Sequence, residues 1–275
     1  MPEVVVDGVR LAYDVTGEGP PVLLICGTGQ PAFLWEALNK PDIVGAGYQV
    51  VTFDNRGIAP SDIPPPPYTV EQMAADAAGV LDHLGRRDVV VLGASLGATI
   101  TQHLALTRPD LVKAAIFVVG INRASAMGRT TVKGGLALLS LPDGPPPDAL
   151  AAVMAPAFVP PPLWGDDEAA SMGLLMATAL VPPDPVGLLG QYHANLSWAE
   201  RDHLDELAGL AQPALVIGAE HCIIFPPAQM KAAVAAMPDA RYVELAGSAH
   251  MPTSPESLET LRTSILGFLA EVHPV

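Results

Sequence analysis

The chain has 275 residues, half of them apolar, a formal net charge of −15 and only two cysteines. That is enough apolar chain for a large core and too much for a disordered one. The charge argues against nucleic acid and anionic membrane surfaces as partners. Two cysteines make no disulfide framework, so the cytoplasm is the expected setting.

Residues 1–14 read as a strand hairpin around Asp7-Gly8, without the basic flank or apolar stretch of a signal peptide. No apolar run is long enough to span a bilayer. Residues 21–27 (PVLLICG) and 48–54 (YQVVTFD) are continuous apolar runs, as buried strands are. The spacing predicts a helix over 69–85, with Val70, Met73, Ala74, Ala77, Val80, Leu81 and Leu84 on one face, Thr69 as cap and Gly85 as stop. A third strand is expected at 88–92, a helix from about 95 to 107, and a fourth strand at 112–120. The rhythm then breaks. Proline clusters at Pro145-Pro146-Pro147, Pro160-Pro161-Pro162 and Pro182-Pro183 separate short apolar helices, which predicts an inserted helical cap over 121–200 and a core made of 1–120 and 201–275. Strands resume at 214–219 and 241–245, with helices near 226–237 and 255–271. Alternating strands and helices imply an α/β fold with a mostly parallel sheet flanked by helices on both faces.

Gly93-Ala94-Ser95-Leu96-Gly97 follows a buried strand and opens a helix, the setting of a nucleophile elbow. Small residues at 93 and 97 allow the sharp turn, which lifts the Ser95 hydroxyl out beside a helix N-terminus, where developing negative charge is favoured. Late in the chain, His250 follows the last strand and is the candidate base that takes the Ser95 proton and returns it to a leaving group.

The elbow, Cys26-Gly27-Thr28-Gly29, Phe53-Asp54-Asn55-Arg56-Gly57 and Gly247-Ser248-Ala249-His250 together resemble the α/β-hydrolase superfamily. The resemblance implies an eight-stranded, mostly parallel sheet with an inserted helical cap. It also implies that the Thr28 and Leu96 amides form an oxyanion hole, each donor worth on the order of 3 kcal/mol of barrier. Gly27 and Gly29 then border the substrate. Cys26 stands where the family usually has histidine, and Asp54 with Arg56 is expected to brace a loop. The Ala- and Pro-rich composition and the segment PPPPYTVEQMAAD also resemble α/β-hydrolase-like proteins of actinobacterial secondary metabolism.

The acid of the triad is missing from its usual places. Aligned on Pro226-Pro227, the expected aspartate is Cys222, and the alternative site at the end of the preceding strand falls on Asn122. Three readings stay open. Glu220 takes over, two residues away on the same side of an extended chain; Cys222 serves as hydrogen-bond partner or as a thiolate beside a protonated imidazole; or Ser95 and His250 act as a dyad.

From Gly134 to Glu200 there is no Lys or Arg, so no clamp for phosphate, coenzyme A or carboxylate is expected under the cap. Met154, Phe158, Leu163, Trp164, Met172, Leu175, Met176 and Leu189 are expected either to line the pocket or to form the cap's own core; Trp164, Met172 and Met176 are the candidate substrate contacts. The expected partner is a small, uncharged, apolar molecule, with a homodimer left open. No metal cluster, phosphate loop or flavin pattern occurs in the sequence, and no cofactor is expected. The leading function is hydrolysis of an ester or lactone. The alternatives are a lyase that expels a carboxylate such as acetate from an acylated intermediate, and a silent ligand-binding protein.

Overall fold

The computed structural model describes residues 1–146, 148–181 and 185–275; Pro147, Pro182, Pro183 and Asp184, which belong to the proline clusters and the acidic residues of the cap segment, lie outside the described residues. Its eight strands are β1 (Glu3–Val6), β2 (Val9–Thr16), β3 (Pro21–Ile25), β4 (Gln49–Phe53), β5 (Val89–Ala94), β6 (Val112–Val118), β7 (Ala214–Ala219) and β8 (Ala240–Leu245). They form one sheet in the order β1-β2-β4-β3-β5-β6-β7-β8. Strand β2 pairs antiparallel with both β1 and β4, whereas β3 to β8 all run parallel to one another. The interior strands are buried along nearly their whole length, which is why they read as unbroken apolar runs rather than alternating ones.

Helices α1 (Lys40–Gly45), α2 (Val70–His83) and α3 (Leu96–Thr107) alternate with these strands. The predicted helix over 69–85 is α2; Thr69 and Gln72 close its first turn as a capping box. One buried residue on its inner face is not apolar. Asp76 holds the Arg56 guanidinium through two hydrogen bonds of 2.6 and 2.7 Å. Arg56 is therefore braced by Asp76 and not by Asp54, whose Oδ1 accepts the Ala32 N–H at 2.7 Å. The short helix α1 and a 3-10 turn over Ala32–Ala37 went unpredicted, since neither is long enough to show a period.

Between β6 and β7 the chain is helical: α4 (Ala126–Leu139), α5 (Ala149–Met154), α6 (Asp167–Ala179) and α7 (Val186–Ala199). Helix α4 packs on α5 and α7, and α5 on α6. The segment has small apolar clusters of its own, one around Val132, Leu150, Leu188 and Tyr192 and another around Ala151, Phe158 and Ala177. Short α8 (Leu204–Leu207), then α9 (Pro227–Ala236) and α10 (Pro255–Val272) complete the chain. Helices α2 and α3 pack together, as do α1 and α10. Among the described residues no helix is long and apolar enough to cross a membrane.

Strand β3 lies between β4 and β5, so the chain leaves it in one direction along the sheet and returns on the other side. Such a reversal opens a crevice at the carboxyl ends of the strands. Ile25 pairs with Gly93 there, which sets the Cys26–Gly29 segment beside the turn at Ser95.

Candidate active site

Ser95 sits between β5 and α3 with φ 53° and ψ −116°, a conformation that L residues rarely adopt. Packing holds it there. A Cβ added at Gly93 would fall 2.1 Å from the Gly97 carbonyl oxygen, and one at Gly97 would fall 2.1 Å from that of Ile25. Only hydrogen at both positions lets α3 start so close to β3 and β5, and the resulting bend turns the Ser95 side chain out of the sheet.

His250 Nε2 lies 3.0 Å from Ser95 Oγ. Its own backbone N–H is held by the Ala157 carbonyl, from the helical segment between β6 and β7, at 2.9 Å. Phe158 and Phe225 flank the ring at 6.2 and 6.4 Å between centroids. Burial among these groups lowers the imidazole pKa to about 4, so the ring is a neutral base at pH 7.

Cys222 Sγ faces the other ring nitrogen, 3.3 Å from Nδ1, and also accepts the Phe225 N–H at 3.3 Å. Burial pushes its pKa up to about 11, against the pull of the Phe225 and Ile224 amides. Both shifts favour the uncharged pair, thiol and imidazole, over the thiolate–imidazolium pair that the sequence left open. For Ser95 to donate to Nε2, the imidazole proton must sit on Nδ1, where it points at the sulfur. A thiol sulfur is a weak acceptor and carries no charge to balance an imidazolium.

The other candidate acids lie elsewhere. Glu220 is exposed; its Oε2 accepts the Gly247 N–H at 2.8 Å and stands 3.9 Å from His221. The extended-chain alignment fails because the strand ends at Ala219, and a turn closed by the Cys222 N–H on the Ala219 carbonyl rotates residues 220 and 222 apart. Asn122 is buried and uses its side chain to hold the His203 N–H at 2.7 Å. His203 itself stacks on Trp198 at 3.7 Å and bonds to Glu206, so it is structural. Asp54 has its pKa raised by burial to about 6. Cys26 is buried, with its thiol directed at the Pro31 carbonyl.

Two amides remain for an oxyanion. Leu96 is the first residue of α3, so its N–H has no carbonyl within the helix. In the loop after β3, the Gly27 and Gly29 amides are taken by the side chains of Gln30 (3.0 Å) and Gln191 (2.8 Å), and no protein acceptor takes the Thr28 N–H among the described residues. Gly27 and Gly29 thus act as spacers. Gly27 backs onto Ser95 and Gly29 onto the Leu180 carbonyl, and neither lines the two cavities that open at Ser95.

Two cavities meet at Ser95, His250, Gln30 and Leu180. One runs under α4 and α7 and is lined by Met154 and Phe158 together with the polar side chains of Thr28, Arg129, Tyr192 and Asn195. The other is walled by Leu34, Trp35, Val119, Met176, Met251 and Leu261. Of the expected substrate contacts, Met176 lines the second cavity, whereas Trp164 and Met172 line neither and are exposed, as are Leu163 and Leu175. Periodicity cannot tell the outer face of a helix from its inner one when both are apolar. The expectation of no clamp under the cap rested on the stretch from Gly134 to Glu200, which does lack Lys and Arg; Arg129, just ahead of it, lines the first cavity. Gln30, Tyr192 and Asn195 were missed too. Only Gln30, next to Gly29, had a local signal. Among the described residues no three His, Cys, Asp or Glu side chains gather as a metal site would need.

Against known proteins, the chain is 28% identical to the candidate non-heme bromoperoxidase BpoC of Mycobacterium tuberculosis, over 96% of this chain and 99% of that one. The crystal structure of BpoC superposes with a TM-score of 0.84 at 29% identity, covering 95% and 96% of the two chains. A candidate carbamate hydrolase, RutD of Azorhizobium caulinodans, is 29% identical over 95% of this chain and 96% of its own. A thermophilic esterase from Thermogutta terrifontis superposes with a TM-score of 0.80 at 26% identity, covering 99% and 100%. The family described as alpha/beta hydrolase fold matches residues 20–254, and with the eight-stranded sheet and the elbow already in view, the chain belongs to that family.

Proposed function

We propose that this protein hydrolyses a carboxylic ester or lactone of a small, largely apolar molecule through an acyl-Ser95 intermediate. One observation carries the proposal: a hydroxyl on a strained elbow, 3.0 Å from a neutral imidazole. Ser95 Oγ attacks the carbonyl carbon as His250 Nε2 takes its proton. The carbonyl oxygen becomes an oxyanion between the Thr28 and Leu96 amides. Collapse expels the alcohol, which receives the proton from His250. Water, deprotonated by the same nitrogen, then attacks the acyl-enzyme and releases the acid. The likeness to an esterase and to a candidate carbamate hydrolase supports acyl chemistry.

A fluorophosphonate probe tests the nucleophile. Labelling at Ser95, abolished by Ser95→Ala, together with solvent 18O in the acid product, is the expected result. A second reading draws on the neutral thiol at the position of the acid: His250 removes a proton beside a carboxylate leaving group, and elimination follows. Carboxylate released without solvent oxygen, with a new double bond in the product, would replace hydrolysis by that reading. Neither label nor turnover would leave a ligand-binding protein.

A further inference from the structure

The cavity under α4 and α7 is lined by polar side chains, Arg129 among them, that an uncharged substrate would leave unused. Most Lys and Arg side chains of this chain are paired with a carboxylate, but Arg129 has no ion-pair partner among the described residues. It is half-buried on α4, and among the described residues its side chain makes one hydrogen bond, from Nη1 to the Ala124 carbonyl at 2.8 Å. The opposite edge, with Nε and Nη2 side by side, has no protein acceptor among the described residues. Tyr192, which lines the same cavity, is 4% exposed, packs against Gly135 of α4, and has a hydroxyl without a hydrogen-bond partner among the described residues. Asn195, which gives its Nδ2–H to Thr28 Oγ1 at 2.9 Å, lines the cavity as well. No Asp or Glu lines it among the described residues.

We infer that the cavity under α4 and α7 binds a carboxylate carried by the substrate, with Arg129 as its cation and Tyr192 as a further donor. This rests on the hydrolase reading and sharpens it: the substrate is an apolar ester or lactone with one carboxylate on the cap-side arm. A free Nε/Nη2 edge matches the two oxygens of a carboxylate. One guanidinium is too little charge for a phosphate dianion in a chain of net charge −15. The second cavity, walled by Leu34, Trp35 and Leu261, suits the apolar arm.

Two matched pairs of esters read the preference: mono-4-nitrophenyl adipate against 4-nitrophenyl hexanoate, and 4-(carboxymethyl)phenyl acetate against 4-ethylphenyl acetate. Together they put the carboxylate on either side of the scissile bond. The wild type should favour the carboxylate member of one pair in kcat/KM. Arg129→Met should lower that ratio roughly ten- to a hundredfold, the span expected for a charged hydrogen bond, and Arg129→Lys should keep part of it. Binding of 6-phenylhexanoate and 6-phenylhexanol to Ser95→Ala, with and without Arg129→Met, gives a readout free of turnover. Ester turnover that ignores charge in both pairs overturns the inference and leaves the hydrolase reading intact. No turnover, but tighter binding of the carboxylate that is lost in Arg129→Met, overturns the hydrolase reading and leaves the carboxylate site without the ester or lactone assigned to it. Equal binding of acid and alcohol overturns the inference whatever the esters do.

Discussion

Replacing Cys222 by aspartate should make this enzyme faster. When Ser95 attacks, His250 must become an imidazolium at a site that burial has already tuned to a pKa of about 4. The group beside its Nδ1 is a neutral thiol, 3.3 Å away. A carboxylate there would face the new charge at about 4 Å, an attraction on the order of 4 kcal/mol at an effective dielectric constant near 20. Burying that carboxylate costs part of the gain, since Cys222 is only 2% exposed. The Phe225 N–H now bonded to sulfur would donate to it without rearrangement. The balance is about 1.5–3 kcal/mol, or roughly ten- to a hundredfold in kcat. The assay is single-turnover acylation by 4-nitrophenyl butyrate in wild type, Cys222→Asp, Cys222→Asn and Cys222→Ala, each checked for an unchanged melting temperature. Aspartate should exceed asparagine, which has its shape without its charge, and alanine should be slowest. If aspartate and asparagine react alike in folded protein, the missing charge is not what limits the base.

The same burial predicts the acid limb of activity. Only neutral His250 accepts the Ser95 proton, so the rate constant for fluorophosphonate inactivation should stay flat from pH 8 down to about 5 and fall near pH 4; an inflection near 6.5 would contradict the desolvation assigned to His250, and Cys222→Asp should move the limb upward. Asp54 makes the opposite kind of prediction. Its pKa is raised in the folded state, so between about pH 4 and 6 the folded protein holds more protons than the unfolded chain, and this group's contribution to stability falls as pH rises. Asp54→Asn keeps an acceptor for the Ala32 N–H and should gain on the order of 3 kcal/mol relative to wild type between pH 4 and 7.5, read from urea midpoints. A difference between the two proteins that does not change with pH would refute it.

Much of the core was legible because its signals are local. Buried parallel strands declare themselves as apolar runs, α2 by its period and its capping box, and the elbow by two glycines around a serine between a strand and a helix. The helical segment between β6 and β7 was harder. Apolar side chains there occupy outer as well as inner surfaces, so Trp164 and Met172 read as pocket residues and are exposed, while Arg129, just ahead of the stretch free of Lys and Arg, lines a cavity.

By itself the sequence determined the order of the strands and singled out Ser95 and His250 as candidate nucleophile and base, since each of these readings depends on a few neighbouring residues whose backbone preferences act over short range. Which group stands behind His250 was left to tertiary structure. Glu220 and Cys222 are two residues apart in the chain, and only the turn after β7 decides that the thiol faces the ring and the carboxylate faces the Gly247 amide. The charge inside the cavity was decided in the same way, because the pairing or freedom of an arginine depends on groups far from it in sequence, and only folding brings those groups within reach or keeps them away.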